Sequence, residues 1–222
     1  MVTLQLRQLD VPPGQRLLIR HLDWQQFERI LAELGETRSS RIAYSHGTLE
    51  IRMPTPEHEV DKELIGDLVK ILLDELEIDC ECFGSTTFKQ ENMNSGIEPD
   101  QCFYIQNQAQ MRGKRRIDLT IDPPPDLAIE VDVTSKTQID AYAALGVPEL
   151  WRYEKNQLTL YTLQAGQYQR VDISPTFPTL PILNLVAEVL EQSIAIGRSP
   201  ALRAFRQTIQ TASKNLDKPT HK

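Results

Sequence analysis

Pro125-Asp126-Leu127-Ala128-Ile129-Glu130-Val131-Asp132-Val133 reads as a buried β-strand with carboxylates along one side. Side chains alternate across a strand, so Leu127, Ile129, Val131 and Val133 share one face. Asp126, Ala128, Glu130 and Asp132 share the other. Neighbouring carboxylates repel one another and lose hydration when buried. A divalent cation between them relieves both penalties. An exposed strand face, on an edge or in a groove, would give the same alternation without any ligand. For Asp126, which follows a proline run, turn chemistry alone accounts for the residue.

Glu98-Pro99-Asp100 lies upstream as a partner for this strand. Asp100 begins one predicted strand and Glu130 lies within another. If the two strands are neighbours, Asp100, Glu130 and Asp132 converge on one hard cation, and the carbonyl of Val131 adds a further oxygen. The donors are all oxygen, and no Cys or His is near Glu130 in sequence, which favours Mg2+ or Mn2+ over zinc. Such a centre lowers the pKa of bound water and stabilises charge on a phosphoryl oxygen. Metal-assisted hydrolysis of a phosphodiester is the chemistry that follows.

The chain of 222 residues fits one large domain, or one domain with an appendage. Its 40% hydrophobic and 25% charged content is that of an ordinary globular protein. No apolar run is long enough to span a bilayer, and the N-terminus lacks a basic-then-apolar signal pattern. Cys80, Cys82 and Cys102 are too few for a disulfide framework or a four-cysteine zinc site, and read as reduced thiols of a cytoplasmic protein. A net charge of −7 argues against a protein that merely coats nucleic acid. It is compatible with a local basic rim around an acidic centre. Arg112 with Lys114-Arg115-Arg116 is one such rim, and the stretch from Arg198 onward is another.

The order of elements points to a mixed α/β domain. The residues through Pro12-Pro13-Gly14 read as an extended arm. Asp23 caps a predicted helix through Trp24, Phe27, Ile30, Leu31 and Leu34, which Gly35 stops. Arg41 to His46 and Thr48 to Met53 form a hairpin. A long amphipathic helix runs from Glu57 to Glu77. Strands are expected over Asp79 to Lys89 and Glu98 to Ile105, with a turn at Asn94-Ser95-Gly96. After the acidic strand come a helix over Gln138 to Leu145 and strands over Glu149 to Tyr153, Gln157 to Leu163 and Tyr168 to Ile173. Helices over Ile182 to Gln192 and Pro200 to Thr211 close the chain.

Asp100, the long gap and Glu130-Val131-Asp132 resemble the PD-(D/E)XK nuclease superfamily. More specifically, the chain resembles the Uma2 family of restriction-endonuclease-like proteins. The matching segments are Gly47-Thr48-Leu49-Glu50-Ile51, Pro56-Glu57-His58, Gly84-Ser85-Thr86-Thr87, Glu98-Pro99-Asp100-Gln101-Cys102-Phe103-Tyr104-Ile105, Asp126-Leu127-Ala128-Ile129-Glu130-Val131 and Gly146-Val147-Pro148-Glu149-Leu150-Trp151. They occur in the family's order, from Asp23 to beyond Gly197. The resemblance implies a restriction-endonuclease-like α/β fold: a central mixed β-sheet flanked by helices, with a C-terminal helical extension. Residues 1–195 would form that domain with its N-terminal arm, and 196–222 a C-terminal helix and frayed tail.

The implied function is Mg2+-dependent (or Mn2+-dependent) endonucleolytic hydrolysis of DNA, with a catalytically inactive binding or assembly module as the alternative. Asp100 and Glu130 would hold the metal, with Asp132 assisting. The superfamily's lysine position is Asp132 here, so Lys136 would orient water or neutralise the phosphate, and Gln138 would do so more weakly. His58, at the start of the long helix, would support the site from behind, with Glu63 and Glu50 as weaker candidates. A homodimer is expected from the resemblance and from apolar residues of the terminal helices, such as Ile182, Leu183, Val186 and Leu190. Trp151, Tyr153 and Tyr142 read as packing residues.

Overall fold

In this computed structural model, residues 6–35, 38–131 and 136–216 are described. The elements are β1 (Arg16–Ile19), α1 (Trp24–Leu34), β2 (Arg41–Ser45), β3 (Thr48–Arg52), α2 (Pro56–Glu75), β4 (Glu81–Cys82), β5 (Phe88–Gln90), β6 (Ser95–Ile97), β7 (Gln101–Tyr104) and α3 (Gln108–Met111). They continue with β8 (Leu127–Val131), α4 (Lys136–Leu145), β9 (Glu149–Glu154), β10 (Gln157–Gln164), β11 (Gln167–Val171), α5 (Ile182–Ile196) and α6 (Arg198–Leu216).

Local chemistry sets the helix starts. The Asp23 side chain accepts from the Gln26 N–H while the Gln26 side chain accepts from the Asp23 N–H, closing a capping box at α1. Thr55 caps α2 through the His58 N–H, Pro56 opens that helix, and Glu57 and Glu59 lie in its positive first turn. Between β2 and β3, His46 and Gly47 both adopt positive φ, at 47° and 79°, as a tight hairpin demands.

The strands form two sheets, one in the order β1-β3-β2-β6-β5 and one in the order β11-β10-β9-β8-β7-β4. β8 and β9 run parallel, with α4 as their crossover. The molecule is layered. α1 covers one face of the first sheet through Phe27, Ile42, Tyr44, Leu49 and Ile51. α4 lies between the sheets, where Ala141, Tyr142 and Leu145 meet Ala43 and Ile97 on one side and Cys102 and Ala128 on the other. α2, α5 and α6 cover the far face of the second sheet, against Phe103, Leu127, Ile129, Val131 and Trp151.

Three expectations are corrected. The stretch read as one strand over Asp79 to Lys89 is two short strands in different sheets, separated by Gly84 at φ 56°. Ser95 and Gly96 are strand residues, not a turn; only Asn94 adopts the left-handed conformation. Glycine suits position 96 because a Cβ there would stand 3.0 Å from the Phe27 ring, which would have to give way. The apolar stripe expected to support a dimer faces inward instead. Ile182 and Val186 are buried, and Leu183 and Leu190 pack against the same core. No helix among the described residues is long and apolar enough to cross a membrane.

Candidate active site

β8 is interior, flanked by β7 and β9, and every one of its residues is buried. The exposed-strand reading of its carboxylates is therefore excluded for Glu130, which is 0% exposed. Asp100 ends the short link that carries the chain from β6 in the first sheet to β7 in the second. In the antiparallel register Gln101 faces Ile129, so one further step sets Asp100 opposite Glu130.

Groups from four other directions close on this pair. Asp100 Oδ2 accepts from the backbone N–H of Val131 and from His58 Nε2, both at 2.9 Å. The Thr55 cap fixes the start of α2, and with it the position of His58. From α4, the Tyr142 hydroxyl donates to Glu130 Oε1. From the end of β3 in the first sheet comes Arg52. Its Nη1 donates to the Val131 carbonyl at 3.0 Å. Its Nη2 lies 3.5 Å from Asp100 Oδ1 and 3.6 Å from Glu130 Oε2, too far for hydrogen bonds. Arg41 Nε stands 3.9 Å from Asp100 Oδ1.

The two carboxyl groups titrate apart. Burial pushes Asp100 up, but the His58 hydrogen bond, the Arg52 charge and the Val131 N–H outweigh it and hold Asp100 below the usual carboxylate value. Burial, then the charge of Asp100, and the hydrogen bond a protonated Glu130 shares with Asp100 push Glu130 well above its usual value, with Arg52 and Tyr142 opposing only in part. Two carboxylates in one dry site do not ionise together easily.

Other buried carboxylates provide a contrast. Glu149 accepts from Trp151 Nε1 at 2.6 Å, Ser174 Oγ at 2.7 Å, the Thr176 N–H at 3.0 Å and Thr176 Oγ1 at 2.6 Å. Asp126 accepts from the Ile105 N–H at 2.7 Å and from the backbone and side chain of Asn107 at 3.2 and 2.9 Å. Both are structural groups with both oxygens occupied. Asp100 Oδ1 and Glu130 Oε2 are buried yet accept no hydrogen bond from an N–H or hydroxyl of the described residues. Buried acceptors of this kind call for an explanation. Two carboxylate oxygens beside a peptide carbonyl suit a hard cation that keeps part of its water shell. No group of three or more His, Cys, Asp or Glu among the described residues is placed to hold a metal ion. A cation here would rest on two carboxylates.

Of the residues expected from sequence, Asp100, Glu130 and His58 come together. Asp132 lies outside the described residues; Lys136 opens α4, but its side chain lies outside them too. Gln138 is buried on α4, one turn before Tyr142. Glu63 accepts a long 3.4 Å bond from Gln101 Nε2 at the periphery, and Glu50 is buried two residues before Arg52. Sequence reasoning missed Arg52 and Arg41 and took Tyr142 for packing alone. A signal for Arg52 was present. Glu50 and Arg52 alternate with Leu49 and Ile51, the pattern that singled out Glu130.

A cavity of about 650 Å3 opens nearby, lined by Arg38, Thr87, Lys89, Glu98, Arg115 and Arg116 among others. Arg38 also lines a second groove of about 530 Å3, together with Arg41 and Glu59. Lys114 is paired with Asp122, whereas Arg115 and Arg116 are exposed.

Residues 24–195 match the Uma2 family, described as putative restriction endonuclease. None of the curated proteins matches the chain. Among solved structures, a putative nuclease of the DUF820 group from Anabaena variabilis superposes with a TM-score of 0.51 at 16% identity, covering 71% of this chain and 92% of its own. At that identity the likeness concerns the fold.

Proposed function

The chain belongs to the Uma2 family, and on that premise we propose that it is a metal-dependent endonuclease that hydrolyses DNA phosphodiester bonds at the Asp100–Glu130 centre. The observation that carries this reading is the pair of facing, buried carboxylate oxygens that accept no hydrogen bond from an N–H or hydroxyl of the described residues. Glu149 and Asp126, by contrast, have both oxygens occupied by donors.

Asp100 and Glu130 would hold Mg2+ or Mn2+, with the Val131 carbonyl beside them and Asp132 assisting. When bound, such an ion stabilises the charge that grows on a phosphoryl oxygen as water attacks. The remaining work falls to the chain's own side chains. His58 and the Val131 N–H hold Asp100 by Oδ2, leaving Oδ1 facing Glu130 and Arg52. Tyr142 fixes Glu130 by Oε1 in the same way. Lys136, at the start of α4, orients water or neutralises the phosphate. Arg115 and Arg116, exposed on the wall of the neighbouring cavity, provide the local positive potential that DNA needs on a chain of net charge −7, while Arg38 and Lys89 in the same lining are paired with Glu98 and Glu28.

Plasmid incubated with Mg2+ or Mn2+ is expected to be nicked or linearised, and Asp100→Ala and Glu130→Ala to reduce cleavage to background. Variants that cut as fast as the parent would remove this centre from the reaction. One observation favours a second reading, a nuclease-fold binding or assembly module without turnover: Arg52 already places a positive charge between the carboxylates. Mn2+ binding measured by calorimetry separates the two. An assembly module should bind none in the low-millimolar range.

A further inference from the structure

We propose that Arg52 is the resident counter-cation of the Asp100–Glu130 pair, and that it must turn away, toward Glu50, before a divalent cation binds. This rests on the metal-dependent reading and specifies what controls it. Arg52 is then a positioning residue, acting on the reaction through the carboxylates.

The contacts are those of a replaceable ion. Buried arginines usually meet carboxylates through short, paired N–H donors. Here Arg52 Nη2 faces both open oxygens at 3.5 and 3.6 Å and bonds to neither, and Nε has no hydrogen-bond partner among the described residues. Its anchor is the Nη1 bond to the Val131 carbonyl at 3.0 Å. The guanidinium thus compensates charge without saturating the acceptors. A dication on the same two oxygens would stand within a few ångströms of it, where like charges repel strongly in a medium of low polarity. The two cannot share the site.

Glu50 is where the guanidinium can go. It lies two residues back on β3, hence on the same strand face. Its carboxylate is buried, and Oε2 accepts no hydrogen bond, with Arg16 Nη1 4.0 Å away. The Arg52 side chain is itself 11% exposed, so it is not sealed in place. Turning from the pair to Glu50 exchanges one carboxylate partner for another and leaves Asp100 Oδ1 and Glu130 Oε2 free for the metal.

A ligand that binds only the turned-away state is weakened by the rarity of that state. Mn2+ titrations by calorimetry on the full-length chain test this. Arg52→Met should bind Mn2+ at least about tenfold more tightly than the parent. Glu50→Gln, which removes the receiving carboxylate, should bind it about threefold or more weakly. In the Arg52→Met background, Glu50→Gln should then change nothing, an outcome that a merely structural role for Glu50 would not produce. If Arg52→Met does not fold without metal, Arg52→Gln, which removes the charge but keeps an N–H donor of the kind that meets the Val131 carbonyl, should still bind Mn2+ more tightly than the parent. Equal or weaker binding by the Arg52 variants overturns the proposal while leaving metal dependence intact. Absence of Mn2+ binding in the parent and in every Arg52 variant overturns both.

Discussion

Glu130 and Glu149 are buried glutamates on adjacent strands, and they differ in what surrounds their oxygens. Four donors converge on Glu149, whereas Glu130 has Tyr142 on one oxygen and a distant guanidinium facing the other. The difference has a consequence for pH. Asp100, held below its usual value, stabilises the fold above that range and loses the contribution as pH falls. Glu130, raised above the usual 4.5, favours the fold when protonated, so its contribution declines as pH rises from 4.5 toward the raised value. Glu130→Gln mimics the protonated group. In metal-free buffer the Tm of this variant should gain on that of the parent as pH rises from 4.5. A difference that stays flat with pH would remove Glu130 as its source. At this scale Asp100 and Glu130 were legible because a carboxylate alternating with Leu, Ile and Val breaks the expected pattern. Arg52 carries the same alternation on β3, but its place in the site was not legible, because nothing in the sequence says that residue 52 and residue 130 face each other across two sheets.

The long or well-punctuated elements were readable. α1 has its Asp23 cap and Gly35 stop, α2 its apolar periodicity, and the β2–β3 hairpin its His46-Gly47 turn. The short strands β4, β5 and β6 were not, since strands of two or three residues carry no periodicity and are defined by their partners. Gly96 shows the difficulty: it resembles a turn residue but is glycine because Phe27 leans on the strand. Nor does sequence reveal that α4 is packed on two sides. Ala141 is 0% exposed between the sheets, and its small size sets how closely they approach. Ala141→Leu should therefore cost about 1–3 kcal/mol of stability in a denaturant titration. A loss under about 0.5 kcal/mol would be that of an ordinary surface substitution and would show slack in the layer.

Across the whole molecule, the acidic net charge and the proposed nucleic-acid substrate are reconciled by where the exposed cations sit. Arg115 and Arg116 line the cavity beside Glu98, two residues from Asp100. If each meets a phosphate, the Arg115→Ala/Arg116→Ala double variant should bind a labelled DNA duplex more weakly without divalent cation. Its log–log salt slope should fall by about 2, measurable by fluorescence anisotropy across a salt series. An unchanged slope would place DNA elsewhere. The division of the centre between sheets has a further meaning for the life of the polypeptide. Arg52 arrives from the first sheet, Asp100 and Glu130 from the second, and Tyr142 from the helix between them. Contacts so far apart in sequence form late, after the chain has closed long loops. A nascent or truncated chain that has not reached α4 has no assembled centre. Whatever chemistry these residues perform is thereby withheld until synthesis has passed α4 and the two sheets have docked.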